Sequence, residues 1–351
     1  MPRNSTTRSW TLVPSIRATL PGLMEPRETT VGSRPRRVAR LCRTLALIGA
    51  ASYAGLVLAD AISTYTPTPA ISIKEAAILG LVEGITEYLP ISSTGHLVLA
   101  GELMGLSDES RWSEAEIDAI QAYDIVIQAG AILAVIVIYW HRLQTMLLGL
   151  LGRSAEGKQL LRNVIIAFCP AAIVGLLLKK IIRRYLQFKG PVIAALAVGG
   201  LLMIGLVRSR FMARSLNAGK SLAELTPREA LAIGCAQCLA LWPGMSRSMV
   251  TILGGMAIGL APTAATEFSF LVGLPTLLGA TAFKSISEGR GLMQHVGTTA
   301  IATGLAVAAL SAGVTVRWMI KHLNRLGFIW FGFYRIVLAA VMVIYFAAQG
   351  H

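Results

Sequence analysis

The sequence predicts an all-α polytopic membrane protein built as an inverted-topology repeat, each copy a re-entrant helical hairpin plus three transmembrane helices. Three observations predict it. Of 351 residues, 54% are hydrophobic and 14% charged, against about 25% charged in an ordinary soluble domain. Apolar runs of about twenty residues, the length a helix needs to cross a bilayer, recur along the chain. Two segments, 74–106 and 228–260, are apolar overall, are interrupted midway by polar clusters, and match each other without a gap.

Residues 1–43 carry nine arginines (Arg3, Arg8, Arg17, Arg27, Arg34, Arg36, Arg37, Arg40, Arg43) against Glu25 and Glu28, and are predicted to form a disordered cytoplasmic tail. The run at 44–63, TLALIGAASYAGLVLADAIS, is apolar enough to add a transmembrane helix, with a linker to residue 69. A signal peptide is the competing reading, but the basic leader is too long for one. The first repeat is placed at 70–225, with its re-entrant segment at 74–106 and spans near 122–140, 160–178 and 189–207. The second is placed at 226–351, with its re-entrant segment at 228–260 and spans near 264–283, 297–316 and 326–347.

The re-entrant segments read KEAAILGLVEGITEYLPISSTGHLVLAGELMGL and REALAIGCAQCLALWPGMSRSMVTILGGMAIGL. Either half of each is too short to cross about 30 Å of hydrocarbon at roughly 1.5 Å per residue. Two half-helices meeting at a polar break are tolerated only where the break lines a cavity enclosed by protein. A shift of 154 positions pairs Lys74 with Arg228, Glu75 with Glu229, Gly80 with Gly234, Glu83 with Gln237, Ser92 with Ser246, Thr94 with Ser248, Gly101 with Gly255 and Gly105 with Gly259. A hairpin plus three spans is an odd number of crossings, so the second copy enters from the opposite side and both breaks meet near the midplane.

Charge orients the chain. The loop at 102–124 is acidic (Glu102, Asp108, Glu109, Glu114, Glu116, Asp118, Asp124), whereas those at 141–162 and 208–228 are basic. The basic loops belong in the cytoplasm, so the first hairpin opens outward. The run Lys179, Lys180, Arg183, Arg184 and Lys189 then falls outside, against the rule. The formal charge of +14 sits in the tail and in short loops, which argues against nucleic acid as a partner. Cys42, Cys169, Cys235 and Cys238 form no disulfide framework, and Cys235 and Cys238 are read as small packing residues.

The candidate site lies at the two breaks. Glu83 and Glu87 are four apart and share one helical face; two acids inside a membrane are costly and mark function. Pro90 ends that helix, Ser92, Ser93 and Thr94 bring hydroxyls to the next N-terminus, Gly95 permits close backbone approach, and His96 adds a titratable ring. Any one of the hydroxyls alone is an ordinary N-cap. In the second copy Gly244, Ser246, Arg247, Ser248 and Thr251 open a half-helix whose free N–H groups, with the planar guanidinium, suit phosphate. Glu267 and Arg335 lie near helix ends, where interfacial snorkelling competes with an interior role. Trp140 and His141 read as interfacial anchors.

At these motifs, Glu83-Gly-Ile-Thr-Glu87, Leu89-Pro-Ile-Ser-Ser-Thr-Gly-His96 and Trp242-Pro-Gly-Met-Ser-Arg-Ser248 with Thr251, the chain resembles the undecaprenyl-diphosphate phosphatases, also called bacitracin-resistance proteins. YDIVIQAGAILAV at 123–135 and EFSFLVGLPTLLGATAF at 267–283 extend the likeness, which covers about 70–350. The resemblance implies hydrolysis of undecaprenyl diphosphate to the monophosphate, recycling the carrier lipid of cell-wall synthesis at the outer face of the bacterial plasma membrane and conferring bacitracin resistance. It also implies that Glu83 and Glu87 activate the nucleophile and, with the substrate phosphates, hold a divalent cation, Mg or Ca. Arg247 and the helix N-termini would hold the diphosphate, through Ser92, Thr94, Gly95, Gly244, Ser246, Ser248 and Thr251. The nucleophile is Ser93 or water, with His96 as acid, base or rival nucleophile. The expected partners are the polyprenyl diphosphate substrate and membrane lipids, with a homodimer left open.

Three other readings compete. Inverted repeats with broken helices also suit a transporter or a flippase for a polyprenyl phosphate lipid. A phosphatidic-acid-type phosphatase needs a histidine six positions after the arginine of its Ser-Arg pair, where this chain has Leu253. A structural scaffold leaves Arg247 and the glutamate pair without a purpose.

Overall fold

The computed structural model describes residues 69–108, 110–322 and 327–349. The tail predicted at 1–43 and the extra span predicted at 44–63 lie outside these residues.

Each interrupted segment is a pair of short helices, and both pairs use the same local signals at positions 154 apart. Helix α1 (Ile73–Thr86) starts at a capping box in which Ser72 Oγ accepts from Glu75 N and the Glu75 carboxylate accepts from Ser72 N. After the break comes α2 (Ser93–Leu103), capped by Ser92 Oγ, which accepts from Gly95 N. It closes on Gly105 at φ +68, with Leu106 N donating to Gly101 O. In the second copy Thr226 and Glu229 build the same box ahead of a helix at Pro227–Gln237, and Ser246 caps one at Arg247–Ala257. That helix closes on Gly259 at φ +98, with Leu260 N donating to Gly255 O. The paired residues Glu75 and Glu229 are therefore caps, and Gly105 and Gly259 are left-handed stops.

Among the described residues, six helical segments are long and apolar enough to cross a membrane. In chain order, α3 (Glu114–Val126) and α4 (Gln128–Ile138) form the first, bent at Ile127. After the amphipathic α5 (Trp140–Leu150) come α6 (Ala155–Tyr185), α7 (Lys189–Arg208) and the short α8 (Arg210–Ala218). The second-copy half-helices are α9 (Pro227–Gln237) and α10 (Arg247–Ala257), followed by α11 (Pro262–His295), α12 (Thr298–His322) and α13 (Phe328–Ala348). The six spans fall where the sequence predicts them, although α6 and α11 are longer. At 31 and 34 residues they reach about 46 and 51 Å at 1.5 Å per residue, beyond the hydrocarbon thickness. The stretches at 141–162 and 208–228, read as loops, contain α5 and α8 and the start of α6.

Packing crosses between the copies. Helix α1 lies on α12, α9 on α6, and the last spans α7 and α13 lie on each other. Small residues set these approaches: a Cβ on Gly80 would strike the Gly304 backbone, one on Gly234 the Ala167 backbone, and one on Gly200 the Gly332 carbonyl. Between lipid-facing helices, close backbone contact of this kind supplies the attraction that the hydrophobic effect cannot. Outward faces are apolar, as at Leu176, Leu177, Ile286 and Leu310. Cys235 is exposed on an outer face.

The basic run that broke the charge rule has acidic partners. Lys189 pairs with Glu102 at 2.8 Å and Arg183 with Asp118 at 3.9 Å, which brings this run and the acidic loop to one end of the bundle. Glu267 is no snorkelling side chain: it accepts from Arg142 Nε at 2.5 Å, and Arg142 Nη1 also donates to Glu156 at 3.0 Å.

Candidate active site

The two breaks face each other across a cavity of about 120 Å³. Glu87, Ser92, Ser93 and Thr94 line it from the first break, and Pro243, Gly244, Ser246 and Arg247 from the second. Ala240 and Leu277 add apolar wall, and Gln128 contributes an amide.

The breaks are strained where they turn into the cavity. Ser92 (φ +73) and Ser246 (φ +71) are the non-glycine residues with positive φ among those described. Such conformations cost of order 1–3 kcal/mol and persist where the surroundings enforce them. Here each serine caps a half-helix whose N-terminus points at the cavity, an arrangement that favours an anion. Ser248 Oγ ties the turns together by donating to Leu89 O at 3.0 Å while lying 3.0 Å from Ser246 Oγ.

Glu87 is the centre of the polar network. Its Oε2 accepts from Ser93 Oγ at 2.6 Å, and its Oε1 accepts from Arg247 Nη2 at 3.1 Å. Arg247 and Glu87 are 9% and 8% exposed, so the pair is largely withdrawn from water. The pair has one further tie, Arg247 Nη1 donating to Ser269 O at 2.9 Å, while Arg247 Nε has no partner among the described residues. The guanidinium lies where a Cβ on Gly273 would be, so α11 makes room for it by having no side chain there. Thr251 sits behind: its Oγ1 is 2.5 Å from Ser269 Oγ and donates to Arg247 O. It supports the arginine and does not line the cavity.

Glu83 is fully buried, one turn behind Glu87, with Glu87, Asp124 and Arg247 as its charged neighbours. Its carboxyl oxygens meet no donor outside the acidic pair that it forms with Glu87. Two adjacent buried acids are costly as carboxylates, and a divalent cation would relieve that cost. No group of three or more His, Cys, Asp or Glu side chains that could hold a metal occurs among the described residues. A cation at this place would therefore draw its other ligands from substrate oxygens or water, as Mg²⁺ commonly does.

Like Thr251, three more expected site residues, Ser248, His96 and Gly95, do not line the cavity, and Ser248 instead joins the two turns. His96 does not line the cavity: Nδ1 is 2.7 Å from Ser92 O and Nε2 is 2.7 Å from Tyr334 Oη. Gly95 permits close approach to Leu196 of α7, not to the cavity. Gln128 joins the lining without being among the sequence-predicted site residues. The signal was present, because an amide inside an apolar run is as anomalous as an acid there. Arg335, fully buried, is also an interior residue and no snorkelling one.

Fold and site together define an integral membrane protein with a serine–carboxylate–arginine centre at paired half-helix N-termini, a constellation suited to phosphoryl groups. Residues 76–341 match the family described as Bacitracin resistance protein BacA, and the chain belongs to that family. The undecaprenyl-diphosphatase of Sorangium cellulosum (strain So ce56) is 45% identical over 270 residues, covering 77% of this chain and 85% of that protein. Those of Albidiferax ferrireducens and Acidovorax ebreus are each 40% identical, covering 77% and 78% of this chain and 93% and 94% of those proteins.

Proposed function

We propose that this protein hydrolyses undecaprenyl diphosphate to undecaprenyl phosphate and inorganic phosphate, the activity its relatives' names carry. The observation that carries the chemistry is the hydrogen bond from Ser93 Oγ to Glu87 Oε2. A serine hydroxyl is a weak nucleophile until an adjacent base takes its proton, and Glu87 is placed to do so. Ser93 Oγ attacks the terminal phosphorus, the anhydride P–O bond breaks, and the lipid monophosphate leaves. Glu87 returns the proton to the leaving phosphate, takes one from the water that attacks the Ser93 phosphoester, and passes it to Ser93 Oγ as that P–O bond breaks and inorganic phosphate leaves. Arg247 and the N-termini of α2 and α10 stabilise the phosphoryl oxygens as charge builds, the largest contribution a site makes to phosphoryl transfer. A divalent cation, Mg or Ca, held by Glu83 and Glu87 would neutralise further diphosphate charge. Turnover of this lipid recycles the carrier of cell-wall synthesis and confers bacitracin resistance.

The same reading makes 70–225 and 226–351 two oppositely oriented copies in the bacterial inner membrane, with the cavity opening to the extracytoplasmic side. The acidic loop at 102–124 and the basic stretches at 141–162 and 208–228 support that orientation. Purified protein in detergent, given undecaprenyl diphosphate, should release phosphate. Absence of release from folded protein supplied with Mg or Ca would refute the assignment.

A further inference from the structure

The two strained turns are fastened to one helix. Helix α13 contributes consecutive residues, Tyr334 and Arg335, that reach different turns. Arg335 Nη2 donates to Gly244 O at 2.9 Å and to Ala195 O at 3.1 Å. Gly244 sits at φ +96 in the second break and lines the cavity. Tyr334 Oη is 2.7 Å from His96 Nε2, and His96 Nδ1 is 2.7 Å from the carbonyl of Ser92, the φ +73 residue of the first break. A carbonyl only accepts, so Nδ1 carries the proton. In the neutral ring Nε2 is then the acceptor, and the Tyr334 hydroxyl donates to it. Each turn thus has the carbonyl of one left-handed residue, Ser92 in the first and Gly244 in the second, held by a donor that depends on α13.

Arg335 is an expensive choice for a bystander. It is 0% exposed, no carboxylate pairs with it among the described residues, and its Nε and Nη1 lack partners. Gly199 leaves the space it occupies, since a Cβ there would collide with the guanidinium. A buried, unpaired charge in a membrane span is retained at a cost and marks function.

We infer that Tyr334 and Arg335, with His96 as the relay, are positioning residues that hold the Ser92–Ser93 and Gly244–Arg247 turns in register across the cavity. His96 in this arrangement touches no reacting atom; it fixes the Ser92 carbonyl. The inference rests on the cavity being the phosphatase centre.

The test is steady-state phosphate release from undecaprenyl diphosphate in detergent, with thermal unfolding measured on the same preparations. Tyr334→Phe, at a half-exposed site that tolerates the loss of a hydroxyl, should lower kcat about tenfold, with KM within about twofold and an unchanged unfolding midpoint. Arg335→Met should lower kcat further, because it removes the one nitrogen, Nη2, that donates to both carbonyls. His96→Gln keeps a donor for Ser92 O and should stay within about tenfold of wild type, while His96→Ala should fall about 100-fold. An unchanged kcat in Tyr334→Phe, or background activity in folded His96→Gln, overturns the inference; the second result would make the ring itself reactive. Wild-type protein without phosphate release would instead count against the functional reading.

Discussion

Ser93 Oγ and Glu87 Oε2 lie 2.6 Å apart, and the other oxygen of the same carboxylate is held by Arg247. One acid therefore faces both a hydroxyl that needs a base and a cation that lowers the cost of its charge. Ser93→Ala should accordingly reduce phosphate release to background. A phosphoenzyme labelled at Ser93 should be trappable by rapid quench at low temperature. Substantial turnover by Ser93→Ala would transfer the attack to water, with Glu87 as its base, and Glu87→Gln would then be the more damaging change.

Arg247 is the charge that both turns and α11 position. Arg247→Ala should cost on the order of 10²-fold or more in kcat, about 2.7 kcal/mol of transition-state stabilisation. Arg247→Lys should recover less than about a tenth of the wild-type rate, because the ammonium cannot bridge Ser269 O and a phosphoryl oxygen as a planar fork does. Near-normal kcat in folded Arg247→Ala would place diphosphate binding elsewhere.

The buried Glu83–Glu87 pair makes two outcomes testable together. Chelator should abolish phosphate release, and added Mg or Ca should restore it. Glu83→Gln should raise the cation concentration needed for half-maximal activity. Equal cation dependence in wild type and variant would remove Glu83 from the cation site.

Orientation can be read with reporters. One fused after Arg40 should report the cytoplasm and one fused after His351 the exterior, given the extra helix predicted at 44–63. A cytoplasmic C-terminus would reverse the opening of the cavity and leave the pairing of the two copies untouched.

The parts of the site that were legible in the sequence were those the membrane makes expensive. Glu83, Glu87 and Arg247 stand out because a charge in an apolar segment needs a reason, and Pro90 and Pro243 mark the breaks. Residues acting through shape or backbone gave no such signal. His96 was read by its titratable ring, whereas its position is set by a carbonyl and a tyrosine 238 residues away. Arg335 lies close enough to a helix end in sequence for snorkelling to explain it, and only packing shows it turned inward. Helices α5 and α8 read as loops because interfacial helices carry loop-like charge. The far end of α11 escaped because its polar residues, from Lys284 to His295, continue the helix past the bilayer.

Gly273 is the least legible of these, since glycine is common in membrane helices, and it gives the sharpest prediction. It lies in α11 where a side chain would occupy the place of the Arg247 guanidinium. Gly273→Ala would force Arg247 off Ser269 O and out of line with Glu87, with no change in any residue that meets substrate. A displacement of about 1 Å in a positioned group can cost about 10²-fold, so kcat should fall on that scale. Gly279, on the same helix, has open space where its Cβ would be. Gly279→Ala should therefore keep full activity and gain up to about 1 kcal/mol of helix stability. If both variants kept wild-type kcat, the arginine would have a second place to sit and the tight clearance at Gly273 would not govern the reaction. A loss in both would point to the flexibility of α11. Loss in Gly273→Ala alone, with an unfolding midpoint close to wild type, identifies the missing side chain as the feature that aims the arginine.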